Sequence, residues 1–407
     1  MVTTSTYFKL LIFTLLALIS TATMAATTPQ SPRLEAKSWI LLDAQTQQVL
    51  ASEDADHELP PASLTKLMTL YLLFEDIKLG RLNEDENVRV SEKAWKIGGS
   101  TMFLDPRMSP KAGDLIHGIS TFSGNDACIA MAEHVSGSEE AFAMRMNEKA
   151  AKLGMTHSHF INATGFPAKD HYSSAGDMAK LAAALWRDFP DHYKLFSEKS
   201  FTYDGRTQWN RNRLLWTMPE VDGLKTGHTD EAGYCLVSSA QTGNTRFVSA
   251  VFGTSSDKAR QQQSAVLLKY GFRNFVTIRP TERDLRRQVE VYGGKEESVW
   301  LKPENAVMVT VPKGYENQLT FRLQYETPLM APIAENQPIG IIEAVVKEKN
   351  GTFSEPLSAI NMVATRHVEE ASWIGQRIDV MRLWWQNKNE ETNNETAPEG
   401  DGDHAKP

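Results

Sequence analysis

Residues 234–240 and 246–252 are two alternating runs rich in strand-favouring residues, joined by little more than Gln241-Thr-Gly-Asn244. A connection this short returns the chain only to an antiparallel neighbour, because a parallel one needs a crossover of about a dozen residues or more. The chain must therefore build an antiparallel sheet. Trp39-Ile-Leu-Leu-Asp43 followed by Gln48-Val-Leu50 reads as a second hairpin. Elsewhere in 33–275 the apolar residues recur at helical spacing: Leu64, Leu67, Met68, Tyr71 and Leu72 do so, as do those in 139–153 and 175–187. A further helix fits residues 258–272. Hairpins mixed with helices, rather than repeated strand–helix–strand units, predict an α/β chain of the α+β type, an antiparallel sheet packed with helices.

The pattern changes near Thr277. Residues 289–292, 306–311, 319–325, 339–346 and 359–363 are short strand candidates separated by Gly, Pro, Asn and charged residues. They predict a small all-β domain over 277–367. At 407 residues the chain is long enough for two domains with separate cores.

The two ends read differently. Lys9, the apolar run from Leu10 to Ile19 and the small residues up to Ala25 have the order of a secretory signal, so residues 1–25 are expected to be removed on export. Residues 371–386 form an amphipathic helix on a helical wheel. Trp373, Ile374, Ile378, Met381, Trp384 and Trp385 fall on one arc, with Ser372, Gly375, Asp379, Arg382 and Gln386 opposite. Arg377 projects into the apolar arc and must snorkel. About 24 Å of helix carrying charges suits the surface of a bilayer rather than a crossing. Residues 387–407, acidic and rich in Asn, Glu, Pro and Gly, are expected to be a disordered tail.

A formal net charge of -8 without a basic block speaks against nucleic acid as a partner. Cys128 and Cys235 are the only cysteines, and their apolar neighbours suit small buried hydrophobes, although a single bridge is open to an exported protein. The histidines, including the pair His157 and His159, lack metal-ligand spacing, so no metal and no cofactor is expected.

Three short motifs carry the chemistry. Ser63-Leu-Thr-Lys66 follows Pro60-Pro-Ala62 and opens a helix, so serine and lysine share one face. A serine hydroxyl becomes a useful nucleophile beside a base, and a lysine can be that base once burial and a neighbouring cation lower its pKa. Such a spacing arises by chance about once or twice in a chain of ordinary composition, and Ser255-Ser-Asp-Lys258 is a second match of the bland kind. Two further triplets set the first match apart. Ser123-Gly-Asn125 sits at a turn before an apolar helix, and Lys225-Thr-Gly227 precedes the hairpin.

Together the three motifs resemble those of the penicillin-recognising serine enzymes, and within them the low-molecular-mass D-Ala-D-Ala carboxypeptidases of Gram-negative bacteria. The resemblance covers roughly 33–386. It implies that Ser63 attacks the carbonyl between two D-alanines while Lys66 takes the proton. Ser123 relays a proton to the departing amine, and Asn125 hydrogen-bonds the substrate amide. Lys225 supplies positive charge, and Thr226 binds the terminal carboxylate. Gly227 leaves room for substrate along the strand, while the backbone N–H groups of Ser63 and His228 form an oxyanion hole. Arg260 and Arg211 match family arginines at the cleft.

The implied substrate is a peptidoglycan pentapeptide, trimmed so that cross-linking is limited. The implied inhibitors are β-lactams, and the implied location is the periplasmic face of the inner membrane, held there by the C-terminal helix. Rival readings are a class A β-lactamase, a DD-endopeptidase and a wall-binding morphology protein. The first is disfavoured because residues 162–174 lack a glutamate to activate water.

Overall fold

The computed structural model describes residues 29–348 and 351–372. The expected signal segment, all but the first two residues of the amphipathic helix, and the tail lie outside the described residues.

Strands β1 (Ser38–Asp43) and β2 (Val49–Glu53) form the first hairpin. A small hairpin of β3 (Ser200–Tyr203) and β4 (Arg206–Trp209) follows much later, and sequence reading missed it. Strands β5 (Val221–Thr229), β6 (Gly233–Thr242) and β7 (Thr245–Thr254) then complete an antiparallel sheet in the order β2-β1-β7-β6-β5. The predicted hairpin is β6–β7, with Val237 opposite Ala250. The first hairpin docks on it through β1, with Trp39 opposite Val251.

Both faces of this sheet are covered, which is why its central strands carry apolar residues at nearly every position. Leu41, Leu236, Phe247 and Val251 face Leu267 and Leu268 of the long C-terminal helix of the domain. Ile40, Val237, Val248, Ala250 and Phe252 face the opposite way, into a helical layer. That layer contains α1 (Lys66–Lys78), α2 (Ala112–Phe122), α3 (Asn125–Ser136), α4 (Glu139–Lys152) and α5 (Ala175–Asp188), while α6 (Asp257–Asn274) lies on the first face. Helix α1 is buried on all sides. Leu67, Met68, Leu70, Leu72, Leu73 and Phe74 are at most 1% exposed, and each contributes about 1.5–3 kcal/mol of transfer free energy. This helix is the post on which the serine motif stands.

The second domain is all-β. Strands β8 (Phe275–Ile278) and β11 (Val309–Pro312) pair with each other. Strands β9 (Arg287–Glu290), β10 (Ser298–Pro303), β12 (Leu319–Tyr325), β13 (Pro338–Val346) and β14 (Ser358–Ala364) form a five-stranded sheet in the order β12-β13-β14-β10-β9. Strand β10 was not expected. Its residues alternate, with Val299 and Leu301 fully buried and Trp300 exposed. Its Pro303 stands at the strand end, where a missing N–H is tolerated.

The domain also runs further than 367. Val368 is fully buried and bonds Ile333 in both directions, and the Ala371 N–H donates to the Gly293 carbonyl. At the junction of the domains Asp43 is fully buried. Its carboxylate accepts from the backbone of Gln45 (2.8 Å) and Thr46 (3.0 Å), and from the hydroxyls of Thr277 and Thr310. A buried carboxylate with four donors pins β8 and β11 against the first sheet. Cys128 and Cys235 are free, buried thiols rather than a bridged pair.

Candidate active site

Ser63 lies in a single turn of tight helix, Ala62–Thr65, that runs directly into α1. Ala62 has φ of 48°, a left-handed conformation that costs about 1–2 kcal/mol for a residue with a Cβ. The turn is held in that shape by what surrounds it. Lys66 is completely buried and its ammonium has three acceptors, the Ser63 Oγ at 3.2 Å, the Asn125 Oδ1 at 2.7 Å and the Thr164 carbonyl at 2.5 Å. Burial brings its pKa down to about 8, and the Arg211 charge pushes the same way. The nearby Cys128 thiol is pushed up to about 12 by burial, so it stays neutral and gives Lys66 no counter-charge.

The second motif joins α2 to α3. Ser123 ends α2 with φ of 75°, and that left-handed residue turns the chain so that Asn125 begins α3 beside Lys66. The Asn125 Nδ2 donates to the Gly98 carbonyl at 2.8 Å, which fixes the amide with its oxygen toward the lysine. Ser123 is 2% exposed and its hydroxyl has no hydrogen-bond partner among the described residues. An unsatisfied buried hydroxyl costs about 1–3 kcal/mol, so it is poised for a group that arrives. Asp126, next in sequence, accepts from the backbone of Met102 and Leu104 and so anchors the 98–104 wall of the cleft.

The third motif lies on β5, the edge strand of the sheet. Gly227 has a packing role there. A Cβ on it would sit 2.9 Å from the Pro61 carbonyl oxygen, 3.2 Å from the Leu64 Cγ and 3.3 Å from the Ala62 Cβ. The glycine lets β5 approach the serine turn, and it lines the cleft as well. Lys225 is 3% exposed, and its only acceptor among the described residues is the Thr226 carbonyl at 3.2 Å. Burial, then the Lys66 charge, hold its pKa well below the usual lysine value. It also has fewer acceptors than Lys66, one against three among the described residues.

Arg260, on α6, donates to the Gly227 carbonyl at 2.9 Å and pairs with Asp257. Its guanidinium lies over the Tyr234 ring, on which the His228 ring is also stacked with centroids 3.9 Å apart. Arg211 is exposed on the rim. Ser63, Ser123, Asn125, Thr226, Gly227, His228, Arg211 and Arg260 all line one cleft of about 640 Å³, with Lys66 and Lys225 behind its wall. The second serine–lysine spacing, Ser255 and Lys258, lies exposed at the start of α6, outside this lining.

The sequence reading took residues 162–174 only for their lack of a glutamate and missed their structural role. Residues 162–166 form a loop in which the Asn162 Oδ1 accepts from Thr164 and Gly165, and its Nδ2 donates to the Phe166 carbonyl. Gly165 has φ of 84°, and a Cβ there would fall 1.8 Å from the Ala62 carbonyl oxygen. His171 clamps the loop to α1. Its Nδ1 accepts from the Ile161 N–H, so its Nε2–H donates to the Thr65 hydroxyl at 2.9 Å. Burial lowers that imidazole to about 4, which keeps it neutral. The only signals were Asn and Gly at turn positions.

The arrangement unites a serine with a buried amine of lowered pKa, an unpaired hydroxyl, and a cationic cleft. Its one lining carboxylate, Asp257, is already taken by Arg260. It is built to acylate a serine with a substrate that ends in an anion.

A family model described as D-alanyl-D-alanine carboxypeptidase matches residues 25–256, and one described as penicillin-binding protein 5, C-terminal domain, matches residues 275–370. The chain is 38% identical over 366 residues to D-alanyl-D-alanine carboxypeptidase DacA of Escherichia coli K12, covering 87% of this chain and 89% of that one. The crystal structure of penicillin binding protein 5 from Haemophilus influenzae is similar with a TM-score of 0.79 and 36% identity, covering 84% of this chain and 100% of that one. Penicillin-binding protein D2 from Listeria monocytogenes in its ampicillin-bound form is similar with a TM-score of 0.56 and 29% identity, covering 60% of this chain and 100% of the other.

Proposed function

The chain belongs to the D-alanyl-D-alanine carboxypeptidase family, and from that premise we propose how its cleft performs the reaction. The activity is serine-type D-Ala-D-Ala carboxypeptidation, release of the terminal D-alanine from a peptide. The observation that carries the assignment of roles is the contact between the buried Lys66 amine and the Ser63 hydroxyl.

In the free enzyme Lys66 and Lys225 share one proton, because two like charges side by side in a dry site oppose each other. Lys66 holds it, having three acceptors against one for Lys225. The form that reacts has lost that proton to solvent, which happens as the pH rises through about 8, and the substrate carboxylate enters beside Thr226 with the Lys225 amine donating to it. Lys66 is then neutral and takes the Ser63 proton as Oγ attacks the carbonyl between the D-alanines. The backbone N–H groups of Ser63 and His228 hold the oxyanion. Ser123 relays the proton held by Lys66 to the departing amine, D-alanine leaves, and water hydrolyses the acyl-enzyme in a second step.

The natural substrate in this reading is a peptidoglycan pentapeptide, and β-lactams are covalent inhibitors at Ser63. Product analysis tests it: a pentapeptide should lose one D-alanine, whereas preferential cleavage of a cross-linked dimer would identify an endopeptidase.

The enzyme works on the periplasmic face of the inner membrane, exported by residues 1–25 and held by the helix over 371–386. The tryptophan-rich arc of that helix supports this reading. Because the β-domain contacts reach Ala371, the proper truncation ends at Ser372. That form should fractionate as soluble with its activity intact. Full-length protein that is already soluble would contradict the anchor.

A further inference from the structure

The segment Asn210-Arg211-Asn212-Arg213 alternates buried asparagines with exposed arginines along one edge of the cleft. Asn210 is 4% exposed and Asn212 0%. The Asn210 Nδ2 donates to the Glu198 carbonyl at 3.0 Å, and its Oδ1 accepts from the Asn212 N–H at 2.9 Å. The Asn212 Nδ2 donates to the Gly223 carbonyl at 3.0 Å on β5, and its Oδ1 accepts from the Leu214 N–H at 3.2 Å. Gln261 donates to the Arg211 carbonyl, tying the same segment to α6. The backbone is thus a fixed ledge, and its two arginines stand out from it into the lining of the cleft.

Neither arginine enters an ion pair among the described residues; the lining carboxylate Asp257 belongs to Arg260. Arg213 lies over the Trp216 ring, 6.0 Å from its centroid, and Lys199 lies over the same ring at 5.8 Å. The ring steadies the guanidinium without neutralising it. A positive ledge with no protein counter-charge is complementary to an anion brought by the ligand.

We propose that Arg213, together with Arg211, is a specificity-determining site for a second carboxylate carried on the acyl side of the substrate. This rests on the carboxypeptidase reading above. The terminal carboxylate is already provided for by Thr226 and the Lys225 amine. Only one D-alanine follows the scissile bond, so the substrate has nothing further on that side. A second anion can come only from the residues that precede the bond. The shared chemistry is a free carboxylate on the stem peptide, borne either by the residue next to the D-alanines or by the residue before it.

The test uses pentapeptides ending in D-Ala-D-Ala that differ at one group. One pair has γ-linked D-glutamate or its α-carboxamide at the second residue, with L-lysine third. The other pair keeps the carboxamide and has meso-diaminopimelate or L-lysine third. The wild-type enzyme should favour the carboxylate member of one pair in kcat/KM by roughly five- to tenfold, the scale of a charge-assisted contact in a solvated rim, mainly through KM. Which pair responds identifies the source of the carboxylate. The preference should shrink at high salt, collapse toward one in Arg213→Gln, and return in part in Arg213→Lys. A ratio of one in both pairs, or an equal loss on both members in Arg213→Gln, overturns the proposal. Failure to release D-alanine from any of the peptides would overturn the carboxypeptidase reading instead.

Discussion

Replacing Asn125 by aspartate should move the pH dependence of acylation. In the wild-type enzyme Lys66 must be neutral to accept the Ser63 proton, and its pKa lies at about 8. The neutral fraction is then about 1% at pH 6, about 9% at pH 7 and about 50% at pH 8. Acylation by benzylpenicillin should accordingly rise about ninefold from pH 6 to 7 and about fivefold more to pH 8, then level off. The Asn125 Oδ1 is 2.7 Å from the Lys66 Nζ. A carboxylate in that place would attract the ammonium by at most about 6 kcal/mol at an effective dielectric constant near 20, and opposite charges in contact raise an amine by about 1–3 pH units. The midpoint of the profile should move from about 8 to between about 9 and 11, with acylation at pH 7 reduced by at least about tenfold. Stopped-flow or quenched acylation across pH 6–10 measures it. The midpoint is the proper readout, because the substitution also removes the donor to Gly98 and lowers the plateau. A wild-type profile flat between pH 6 and 8, or an unmoved midpoint in the variant, would refute Lys66 as the base.

Two further outcomes follow from the same geometry. Gly165→Ala should lose about 2–5 kcal/mol of stability in denaturant unfolding, the sum of a left-handed alanine and overpacking against Ala62. Gly205→Ala, also at positive φ but with open space around it, should lose only about 1–2 kcal/mol, and equal losses would mean that the loop does not brace the serine turn. Benzylpenicillin should be released slowly, because no carboxylate among the described residues of the cleft is free to activate water. Turnover near 10 per second, an ordinary enzyme rate, would contradict that.

Much of this molecule was legible in its residues because side chains carried the signal. The β6–β7 hairpin showed itself by period and by the shortness of its turn. The helix over Asp257–Asn274 was readable to within two residues at each end, and the serine, lysine and asparagine of the motifs met where their spacing required. What was hidden works mostly through the backbone. The third acceptor on Lys66 is a carbonyl of Thr164, and any residue type has a carbonyl. The left-handed Ala62 and Ser123 leave no mark, since both residue types usually avoid that conformation. Gly227 was recognised as necessary, but its close approach to the serine turn left no mark in the sequence. Sequence cannot tell which of two lysines is the poorer in acceptors, so the lowered pKa of Lys225 emerged only from its surroundings. Arg213 gave no signal until Asn210 and Asn212 were seen to hold its ledge.

The central claim is that Ser63 is the group acylated. Intact mass spectrometry of the benzylpenicillin-treated enzyme, followed by peptide mapping, tests it most directly. One adduct per chain is expected, on the peptide containing Ser63, and none in Ser63→Ala. An adduct on Ser255, or labelling that persists in Ser63→Ala, would contradict it.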